Sequence, residues 1–492
     1  MSRELRPHQI RIIERLRQSL TTGHRRPMVQ APTGAGKTVV AAAIVKGALA
    51  KGNRVLFVVP ALSLIDQTVR SFWAEGITDV GVIQANHPKT DATRPVQVAS
   101  IQTLQRRAIP RFDIVVIDEA HRWFEMLGLW MRASDWTSVP FVGLSATPWT
   151  KGLGKFYDDL IQVTTTAELI EAGYLSPFRV YAPSHPDLSG VRTVAGDYHE
   201  GDLGEAMNKP ALVADVVETW LKHGERRPTF AFAVDRAHAK NIQAQFEAAD
   251  VRCGYIDAYT KPPEREALFR QFTAGDLQVI ASVGCLTTGV DLDVRCIILA
   301  RPTKSEMLFV QIIGRGLRTA PGKADCLVLD HSDTHLRLGF VTDIRHDALD
   351  DGRQRQKQER KPRAEALPKE CPSCKYLKPA KVPKCPSCGF KPEKQTEIEC
   401  EDGDLVEMTP ARARAGTVEK ESLFGQLKHY AKRRGYKDGW AANKFRELTG
   451  VWPDRYVNAP LVEPSPFILS WIKSRQIAWV KGRGGSHAHA AR

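Results

Sequence analysis

The chain has 492 residues, nine cysteines and a formal net charge of +14. This length predicts two or three domains. The cysteines are few and unevenly placed, which argues against a disulfide-stapled secreted protein and favours a reducing compartment. Apolar runs are short and the N-terminal MSRELRPHQ has no signal-peptide core, so neither a transmembrane helix nor a signal peptide is expected.

The basic charge is concentrated at the C-terminal end. Residues 351–492 contain 29 Lys and Arg against 17 Asp and Glu, whereas residues 1–350 contain 41 against 39. A near-neutral body with a basic end predicts contact with a polyanion, most simply nucleic acid. The alternative is that surface lysines only keep this end soluble.

Residues 31–38, APTGAGKT, predict a phosphate-binding loop. Backbone around Gly34 and Gly36 can approach an oligophosphate closely. Lys37 can then meet the β and γ phosphates, and Thr38 can offer its hydroxyl to Mg²⁺. A fortuitous glycine-rich turn is the alternative interpretation.

Short apolar runs along the first 330 residues predict strands buried in parallel sheets, with helices between them. Their alternation predicts an α/β protein with two doubly wound sheets. The predicted strands are residues 28–30, 55–59, 96–100, 114–117, 141–144, 230–234, 279–282, 296–300 and 326–330. The predicted helices are residues 10–20, 39–45, 237–249 and 265–275.

Two carboxylates, Asp118 and Glu119, directly follow the predicted strand 114–117. Open α/β sheets bind ligands at the carboxyl ends of their strands. Asp118 can hold Mg²⁺, and Glu119 can orient and deprotonate an attacking water. A helix N-cap is the alternative interpretation of this pair.

Arg315 and Arg318 lie three residues apart in QIIGRGLR. On a helix they share one face and can reach the same γ phosphate. Two such arginines spread positive charge over the oxygens of a phosphoryl-transfer transition state. The alternative is an ordinary solvated helix face.

The ordered series of motifs resembles the superfamily 2 helicases of the DEAH-box kind, over residues 5 to about 335. The series is LRPHQ, APTGAGKT, SIQTL, DEAH, SAT, TTGVD and QIIGRGLR. The resemblance implies two tandem RecA-like lobes, adenine recognition by Gln9, and contacts of residues 60–62 and 100–104 with one nucleic-acid strand. The implied catalytic residues are Lys37, Asp118, Glu119, His121, Arg315 and Arg318. The implied nucleotide-site residues are Gln9, Thr33, Gly34, Ala35, Gly36, Lys37, Thr38, Asp118, Gly289, Asp291 and Gln311.

Four cysteines form two C-x₂-C pairs separated by ten residues. This spacing predicts four thiolates around a structural zinc ion, and redox or disulfide use is the alternative. Lysines between the pairs predict a basic edge for phosphates. The cysteines are Cys371, Cys374, Cys385 and Cys388, and the lysines are Lys375, Lys378, Lys381 and Lys384.

The C-terminal residues interleave aromatic and basic side chains. Residues 397–408 predict a β-hairpin and residues 423–434 a helix. Basic side chains can contact phosphates while aromatic rings stack on bases; the alternative is that the rings form the core of a small helical domain. The aromatic residues are Tyr430, Tyr436, Trp440, Phe445, Trp452, Trp471 and Trp479. The basic residues are Lys432, Arg433, Arg434, Lys437, Lys444, Arg446, Lys473 and Arg475.

The chain is expected to divide into two lobes followed by smaller C-terminal parts. The predicted segments are an ATP-binding lobe (1–163), a helicase lobe (164–345), a charged linker (346–369), a zinc ribbon (370–395), a hairpin with a mostly helical nucleic-acid-binding module (396–484) and a disordered tail (485–492).

We therefore expect an ATP-dependent DNA helicase or translocase of replication, recombination or repair that uses ATP, Mg²⁺ and Zn²⁺. The expected partners are single-stranded or branched DNA and a replication, recombination or nuclease protein, in the cytoplasm of a bacterial or phage-infected cell. Too few residues separate Asp291 from Gln311 for a strand-splitting hairpin, so movement or remodelling competes with unwinding. An RNA helicase and the motor subunit of a restriction or nuclease complex stay open as alternatives. A scaffold with a decayed ATP site is disfavoured because every expected catalytic position is filled.

Overall fold

The chain forms two compact units, Met1–Glu393 and Lys394–Arg492, which are described separately. The computed structural model describes residues 4–84, 86–182, 185–287, 290–352, 367–380, 382–391, 410–437, 439–449, 452–465, 468–469 and 472, with backbone alone for 410–419 and side chains elsewhere except at 455. Within these residues no helix is long and apolar enough to cross a bilayer.

The first lobe is built on a seven-stranded sheet in which every neighbouring pair is parallel. Its strands are β1 (Pro27–Gln30), β2 (Val55–Val59), β3 (Val80–Val82), β4 (Val96–Ser100), β5 (Ile114–Asp118), β6 (Phe141–Ser145) and β7 (Asp159–Gln162), in the order β3-β4-β2-β5-β6-β1-β7. Its helices are α1 (Pro7–Thr21), α2 (Lys37–Leu49), α3 (Ile65–Ala74), α4 (Ile101–Leu104), α5 (Glu125–Arg132) and α6 (Thr166–Glu171).

The central strand β2 shows why its sequence is a continuous apolar run. Val55, Phe57 and Val59 belong to the core on one face of the sheet, and Leu56 and Val58 belong to the core on the other. Because helices cover both faces of a parallel sheet, no position of a central strand meets water. The functional residues therefore lie in the loops beyond the strand ends.

The second lobe is a six-stranded parallel sheet with an added antiparallel hairpin. Its strands are β8 (Phe178–Tyr181), the hairpin β9 (Thr193–Val194) and β10 (Asp197–Tyr198), β11 (Thr229–Phe232), β12 (Cys253–Ile256), β13 (Val279–Ser282), β14 (Cys296–Leu299) and β15 (Cys326–Asp330), with the sheet order β12-β13-β11-β14-β15-β8. Its helices are α7 (Glu200–Met207), α8 (Pro210–His223), α9 (Arg236–Ala248), α10 (Pro262–Ala274), α11 (Glu306–Gly316) and α12 (Thr334–Leu338).

The prediction of two doubly wound α/β sheets is confirmed, and all nine predicted strands are present. Strands β3, β7, β8 and β12 lie at sheet edges and were not predicted. An edge strand keeps one side open to solvent and carries polar residues, as in DLIQ of β7, so it shows no continuous apolar run. Short 3₁₀ turns lie at Leu62–Leu64, Ser134–Trp136, Leu153–Lys155 and Asp454–Tyr456.

After the second lobe the chain forms a small antiparallel ladder and then the helical C-terminal unit. The ladder is β16 (Lys369–Glu370) with β17 (Leu377–Lys378), and the helices are α13 (Pro410–Arg434) and α14 (Gly439–Thr449). The mostly helical character predicted for the C-terminal module is confirmed over the described residues. The predicted hairpin at 397–408, the predicted linker residues 353–366, Trp471, Trp479 and the predicted tail lie outside the described residues.

Candidate ATP site between the two lobes

The loop between β1 and α2 has the backbone geometry of an anion site. Gly34 and Gly36 have φ angles of +87° and +83°, in the left-handed region that favours glycine, and Gly36 precedes α2 as its N-cap. The Ala31 N–H donates to the Ser145 carbonyl at 2.9 Å, which fixes the loop to β6. The free N–H groups at the start of α2 thus lie at the end of the loop, as an oligophosphate requires.

Lys37 lies between the two carboxylates that follow β5. Its Nζ is 3.0 Å from Asp118 Oδ1 and also donates to Glu119 Oε1. Burial acts to lower the pKa of Lys37, but the two carboxylates raise it above its ordinary value. Burial raises the pKa of Asp118, whereas Lys37 holds the pKa of Glu119 low against the effect of burial. Lys37 is therefore a fixed cation, and Glu119 is an ionised carboxylate.

The backbone at Glu119 has a φ angle of +48°. A non-glycine residue in this region costs about 1–3 kcal/mol, and such strain concentrates at functional sites. The Glu119 N–H donates to Asp118 Oδ1 at 2.9 Å, so the two carboxylates are held in a tight turn at the end of β5. The alternative interpretation as a helix N-cap does not apply, because α5 begins only at Glu125.

His121 connects the first lobe to the second. Its ring Nδ1 is 2.9 Å from Ser145 Oγ, and its Nε2 accepts from Gln311 Nε2 of α11 at 3.2 Å. Burial lowers the pKa of His121 to about 4, although Glu119 acts to raise it, so the ring is neutral and its proton is on Nδ1. Gln311 Nε2 also donates to Thr147 Oγ1 at 3.3 Å. The histidine thus joins Ser145, Thr147 and Gln311 in one network.

Both arginines of the predicted clamp are held by the loop after β13. Arg315 Nη1 and Arg318 Nη1 donate to the Val290 carbonyl at 2.8 and 2.7 Å, and Arg318 also pairs with Asp291. Burial and the neighbouring Arg318 lower the pKa of Arg315 to about 10, which leaves it cationic. Arg315 is near enough to Glu119 to lower the pKa of that carboxyl. Gly289 lies outside the described residues.

The prediction that both arginines share one helical face is wrong for Arg318. Helix α11 ends at Gly316, two residues before it. Lys323 Nζ donates to the carbonyls of Gly316 and Arg318 at 2.6 and 2.7 Å and so satisfies the end of the helix. Arg318 nevertheless reaches the same Val290 carbonyl as Arg315, because the chain turns back after the helix.

The second lobe contacts the phosphate loop at two glycines. A β-carbon at Gly314 would lie 2.5 Å from the Thr33 side chain, and one at Gly34 would lie 2.5 Å from Leu175 Cδ2. Gly314 therefore permits a close approach of α11 to the loop. The same loop also contacts Leu175, whose backbone forms an isolated antiparallel bridge with Arg318.

Gln9 contacts the phosphate loop through its amide. Its Oε1 accepts from the Arg6 N–H at 3.0 Å, and its Nε2 donates to the Ala35 carbonyl at 2.9 Å. His8 Nε2 lies 3.0 Å from the same carbonyl. Each end of the Gln9 amide thus makes one hydrogen bond within the chain and keeps capacity for a second, and adenine recognition by Gln9 stays a prediction.

Two residues beside this loop, Tyr174 and Leu175, were not predicted from the sequence. The Arg6 guanidinium lies 4.8 Å from the centre of the Tyr174 ring, and the His8 ring lies 5.1 Å from it. Tyr174 and Leu175 precede β8, far from the motifs in sequence, and no spacing in the sequence links them to the loop. Only the fold places them against it.

The four cysteines form one cluster that fits a zinc ion. Their sulfur atoms lie within 4.8 Å of one another, and the pairs Cys371–Cys388 and Cys374–Cys385 have Sγ atoms 3.7 Å apart. Four sulfurs about 2.3 Å from a tetrahedral zinc are separated by nearly this distance. In each knuckle the residue after the second cysteine, Lys375 or Gly389, has a positive φ angle that closes the turn.

The cysteine cluster is attached to the second lobe. Tyr376 forms an antiparallel bridge with Tyr181 of β8, and the Ala182 N–H donates to the Lys375 carbonyl at 3.1 Å. Tyr181 OH lies 3.1 Å from Ser387 Oγ of the second knuckle. The ribbon thus covers the end of edge strand β8.

In the predicted basic edge of the ribbon, Lys378 is buried, and Lys375 is paired with an acid but stays nearly half exposed. Lys375 pairs with Glu370 at 2.6 Å, and Lys378 is buried with its Nζ donating to the Pro383 carbonyl at 2.8 Å. These contacts satisfy the ribbon's own acceptors, so the two ammonium groups do not form a free edge. Lys384 is exposed, and Lys381 lies outside the described residues.

Two family models match the chain, one on each lobe. The model "Type III restriction enzyme, res subunit" matches residues 2–150, and "Helicase conserved C-terminal domain" matches residues 209–320. Together they cover just over half of the chain. They place the phosphate loop and the two carboxylates in the first domain and the clamp arginines in the second.

Similar proteins include phage and yeast sequences. A "51.5 kDa protein" of Lactococcus phage (isolate 7-9) is 27% identical over 458 residues, covering 86% of this chain and 95% of the phage protein. The "Putative ATP-dependent helicase IRC3" of Saccharomyces cerevisiae is 28% identical over 66% of this chain, which spans 51% of the yeast protein.

The fold is also found in solved structures. A fragment of a putative HsdR subunit of a type I restriction enzyme from Vibrio vulnificus YJ016 superposes with a TM-score of 0.55 at 21% identity, covering 72% of this chain and 68% of that chain. At this identity the likeness concerns the arrangement of the two sheets.

Proposed function

We propose that this chain, an ATP-hydrolysing member of the superfamily 2 helicases, couples ATP turnover to movement along DNA or to its remodelling. The observation that carries the proposal is the convergence of both lobes on one phosphate loop. Lys37 and Glu119 reach the site from the first lobe, and Gln311 and Arg315 reach it from the second. A site divided in this way responds to any change in the distance between its halves.

The residues of the first lobe bind the nucleotide and activate water. Lys37 leaves the carboxylates and meets the β and γ phosphates, and Glu119 then accepts the proton of the attacking water. The Thr38 hydroxyl and Asp118 would hold Mg²⁺, which would supply positive charge to the phosphate oxygens. Gln9, whose amide contacts the phosphate loop, recognises the adenine base.

The residues of the second lobe complete the site. Arg315 and Arg318 exchange the Val290 carbonyl for the γ-phosphate oxygens and stabilise the charge that develops there. His121 transmits the change, because it bonds Ser145 in one lobe and Gln311 in the other. Each turnover then opens and closes the lobes once, which moves the protein relative to a strand bound across them.

DNA is the proposed substrate. The family model on residues 2–150 carries the name of a restriction-enzyme subunit, which supports DNA over RNA. The DEAH-box assignment, the zinc ion, the domain boundaries and a cytoplasmic location in a bacterial or phage-infected cell are parts of the same proposal. Between Asp291 and Gln311 the chain forms β14 and the first residues of α11, and movement or remodelling without strand separation is part of the proposal.

The experiment that tests this function measures movement directly. The full chain is given ATP and a duplex that carries a triplex-forming third strand, whose release reports translocation without strand separation. A forked DNA duplex and the matching RNA fork report unwinding. Release of the third strand is expected with ATP and not with Glu119→Gln; the absence of release and unwinding on every DNA substrate would contradict the proposal.

A second candidate is the motor subunit of a restriction or nuclease complex. The matched restriction-subunit family model favours it. In the part of the chain that the structure describes, the four cysteines are the one group of three or more potential metal ligands, and they do not form a nuclease carboxylate site. A nuclease would then have to come from a partner, and affinity capture from the source cell with tagged full chain tests this.

A further inference from the structure

The C-terminal unit carries exposed aromatic side chains that its core does not use. Phe424, Leu427 and Phe445 are buried and form that core, as the alternative interpretation of the aromatic residues predicted. Tyr436 and Trp452 differ, since 38% and 45% of their surfaces are exposed. Tyr430 and Trp440 are intermediate, because they are partly buried and pack against this core.

The Trp440 ring lies nearly parallel to the rings of Tyr430 and Tyr436, which are tilted by 35° to one another. The Trp440 ring lies 5.7 Å from Tyr430 with an interplanar angle of 26°, and 4.8 Å from Tyr436 with an angle of 22°. In the core of the same unit, Phe424 and Phe445 meet edge to face at 72°. Parallel, offset rings present flat faces, which is the geometry that a nucleobase needs for stacking. We call Tyr430, Tyr436 and Trp440 the aromatic cluster.

The chain that carries Tyr430 and Tyr436 is basic. Residues 428–437 contain five Lys and Arg and no Asp or Glu. Lys428 is used by the fold, because its Nζ donates to the carbonyls of Val457 and Ala459. The other four, which are exposed, are Lys432, Arg433, Arg434 and Lys437.

Guanidinium groups also lie over two of the rings. Arg434 is 5.8 Å from the centre of the Tyr430 ring, and Arg446 is 4.6 Å from that of Trp452. A cation over one face of an aromatic ring contacts phosphate oxygens while the ring stacks on a base, a combination typical of single-strand binding.

Helix stability accounts for only part of this charge. Cations in the last turn of α13 complement the helix dipole, but that effect is confined to the last turn. Lys437 lies beyond the end of α13, and Arg446 lies on α14. Neither helix stability nor core packing explains the exposed ring of Trp452 beside Arg446.

We propose that the aromatic cluster and Trp452, with the four exposed cations, form a second nucleic-acid site that binds single-stranded DNA by stacking its bases. The cations contact phosphates, and Tyr436 and Trp452 accept unstacked bases. The inference rests on the proposed function in taking DNA as the polymer, but it concerns a site in the C-terminal unit rather than the ATP site. Duplex DNA, whose bases are already stacked, uses the cations alone.

The test uses the full chain and separates its contacts with bases from its contacts with phosphates. Fluorescent oligodeoxythymidylate and an abasic oligonucleotide of equal length are titrated without nucleotide. Stacking is worth about 1–3 kcal/mol per base, so the combined variant Tyr436→Ala, Trp452→Ala should bind the thymidylate about tenfold or more weakly. Its affinity for the abasic strand should not change, because the phosphate contacts remain. Tyr436→Phe should retain wild-type affinity, since the ring is kept.

A matched control is Tyr259→Ala. Tyr259 is a highly exposed tyrosine of the second lobe with Arg236 over its ring, so it reproduces the chemistry away from the C-terminal unit. Loss of the Tyr259 ring should leave the affinities for the thymidylate and for the abasic strand unchanged. Equal loss in Tyr259→Ala and in the combined variant would overturn the proposal.

Crosslinking locates the bound bases. A single strand that carries 5-iododeoxyuridine should crosslink within residues 428–452, and crosslinks confined to residues 1–350 would overturn the proposal. Failure of the motor is a separate result: ATP turnover that DNA does not stimulate, together with base-dependent binding lost in the combined variant, would reject the proposed function and keep this site. ATP turnover that DNA stimulates, without base-dependent binding, would keep the proposed function and reject this site.

Discussion

Gly314 of α11 lies against Thr33 of the phosphate loop, so closely that a β-carbon at position 314 would be 2.5 Å from the Thr33 side chain. Thr33 belongs to the lobe that binds phosphate, and Gly314 is next to Arg315, which belongs to the lobe that completes the site. The distance between the clamp and the phosphates therefore depends on the absence of a side chain at Gly314.

Gly314→Ala should hold α11 away from the loop and lower ATP turnover by about 10- to 100-fold, since a displacement of about 1 Å costs this much in a positioned site. Nucleotide binding should persist, because the first lobe is unchanged. The control is Gly47→Ala, also within a helix, where an added β-carbon meets nothing within 4 Å. Steady-state turnover measures both, and wild-type activity in Gly314→Ala would contradict the inferred contact.

Lys37 neutralises two buried carboxylates, so its loss should affect stability as well as turnover. Lys37→Ala should abolish hydrolysis and lower the unfolding free energy by about 3–5 kcal/mol, because the carboxylates lose their cation. Glu119→Gln should also abolish hydrolysis but destabilise less, because it keeps the Lys37–Asp118 pair.

DNA binding should remain in both variants. Thermal unfolding and ATP turnover of Lys37→Ala and Glu119→Gln, measured side by side, test the difference. Turnover in either variant would refute the assignment of these residues, and equal melting temperatures would refute the role of Lys37 in balancing the carboxylates.

Zinc removal should loosen the edge of the second lobe. The wild-type chain should contain one zinc ion, and Cys374→Ser should contain less. Because Tyr376 pairs with Tyr181 and the Lys375 carbonyl accepts from Ala182, backbone amides at 178–182 should exchange faster without metal.

The control for zinc removal is Cys285→Ser, a half-buried cysteine outside the cluster. Elemental analysis and hydrogen exchange measure the two effects, and Cys285→Ser should change neither. Unchanged exchange at β8 after complete metal loss would show that the ribbon does not stabilise the lobe.

The second lobe should lose stability in mild acid through His238. Burial lowers the pKa of this histidine to about 4, although Asp235 acts to raise it. In the unfolded chain His238 binds a proton near pH 6.5, whereas in the folded chain it stays neutral down to about pH 4. The free energy of unfolding therefore falls as the pH falls from about 6.5 towards 4. This one ring contributes up to about 3 kcal/mol of that loss.

His238→Gln should reduce the dependence of the melting temperature on pH across this range, because glutamine does not titrate; His121, whose pKa is also lowered to about 4, should keep part of it. Thermal unfolding at closely spaced pH values measures the slope. An unchanged slope would show that another group controls the acid transition.

Local patterns predicted much of this protein because their causes are local. Strand 55–59 was predicted with its observed bounds, since a strand buried on both faces is apolar throughout. The four cysteines were predicted as one cluster from their spacing. In contrast, the contact between Thr33 and Gly314 depends on how two lobes pack, which no sequence period encodes.

Errors arose where long side chains found partners within the fold. Lys375 and Lys378 were expected at a free basic edge, but Glu370 and the Pro383 carbonyl bind them. Arg318 was expected on helix α11, but the helix ends at Gly316. Lys323 Nζ binds the carbonyls of Gly316 and Arg318 at that end. Edge strand β8 was missed because its sequence, FRVY, is interrupted by a charged residue.

The central claim is that nucleic acid controls ATP turnover at the shared site. The most direct measurement is the steady-state ATPase rate of the full chain alone and with single-stranded DNA, duplex DNA, forked DNA or RNA of equal length. We predict stimulation of about fivefold or more by DNA, weaker stimulation by RNA, and none in Glu119→Gln. Equal rates with every polymer and without one would contradict the claim.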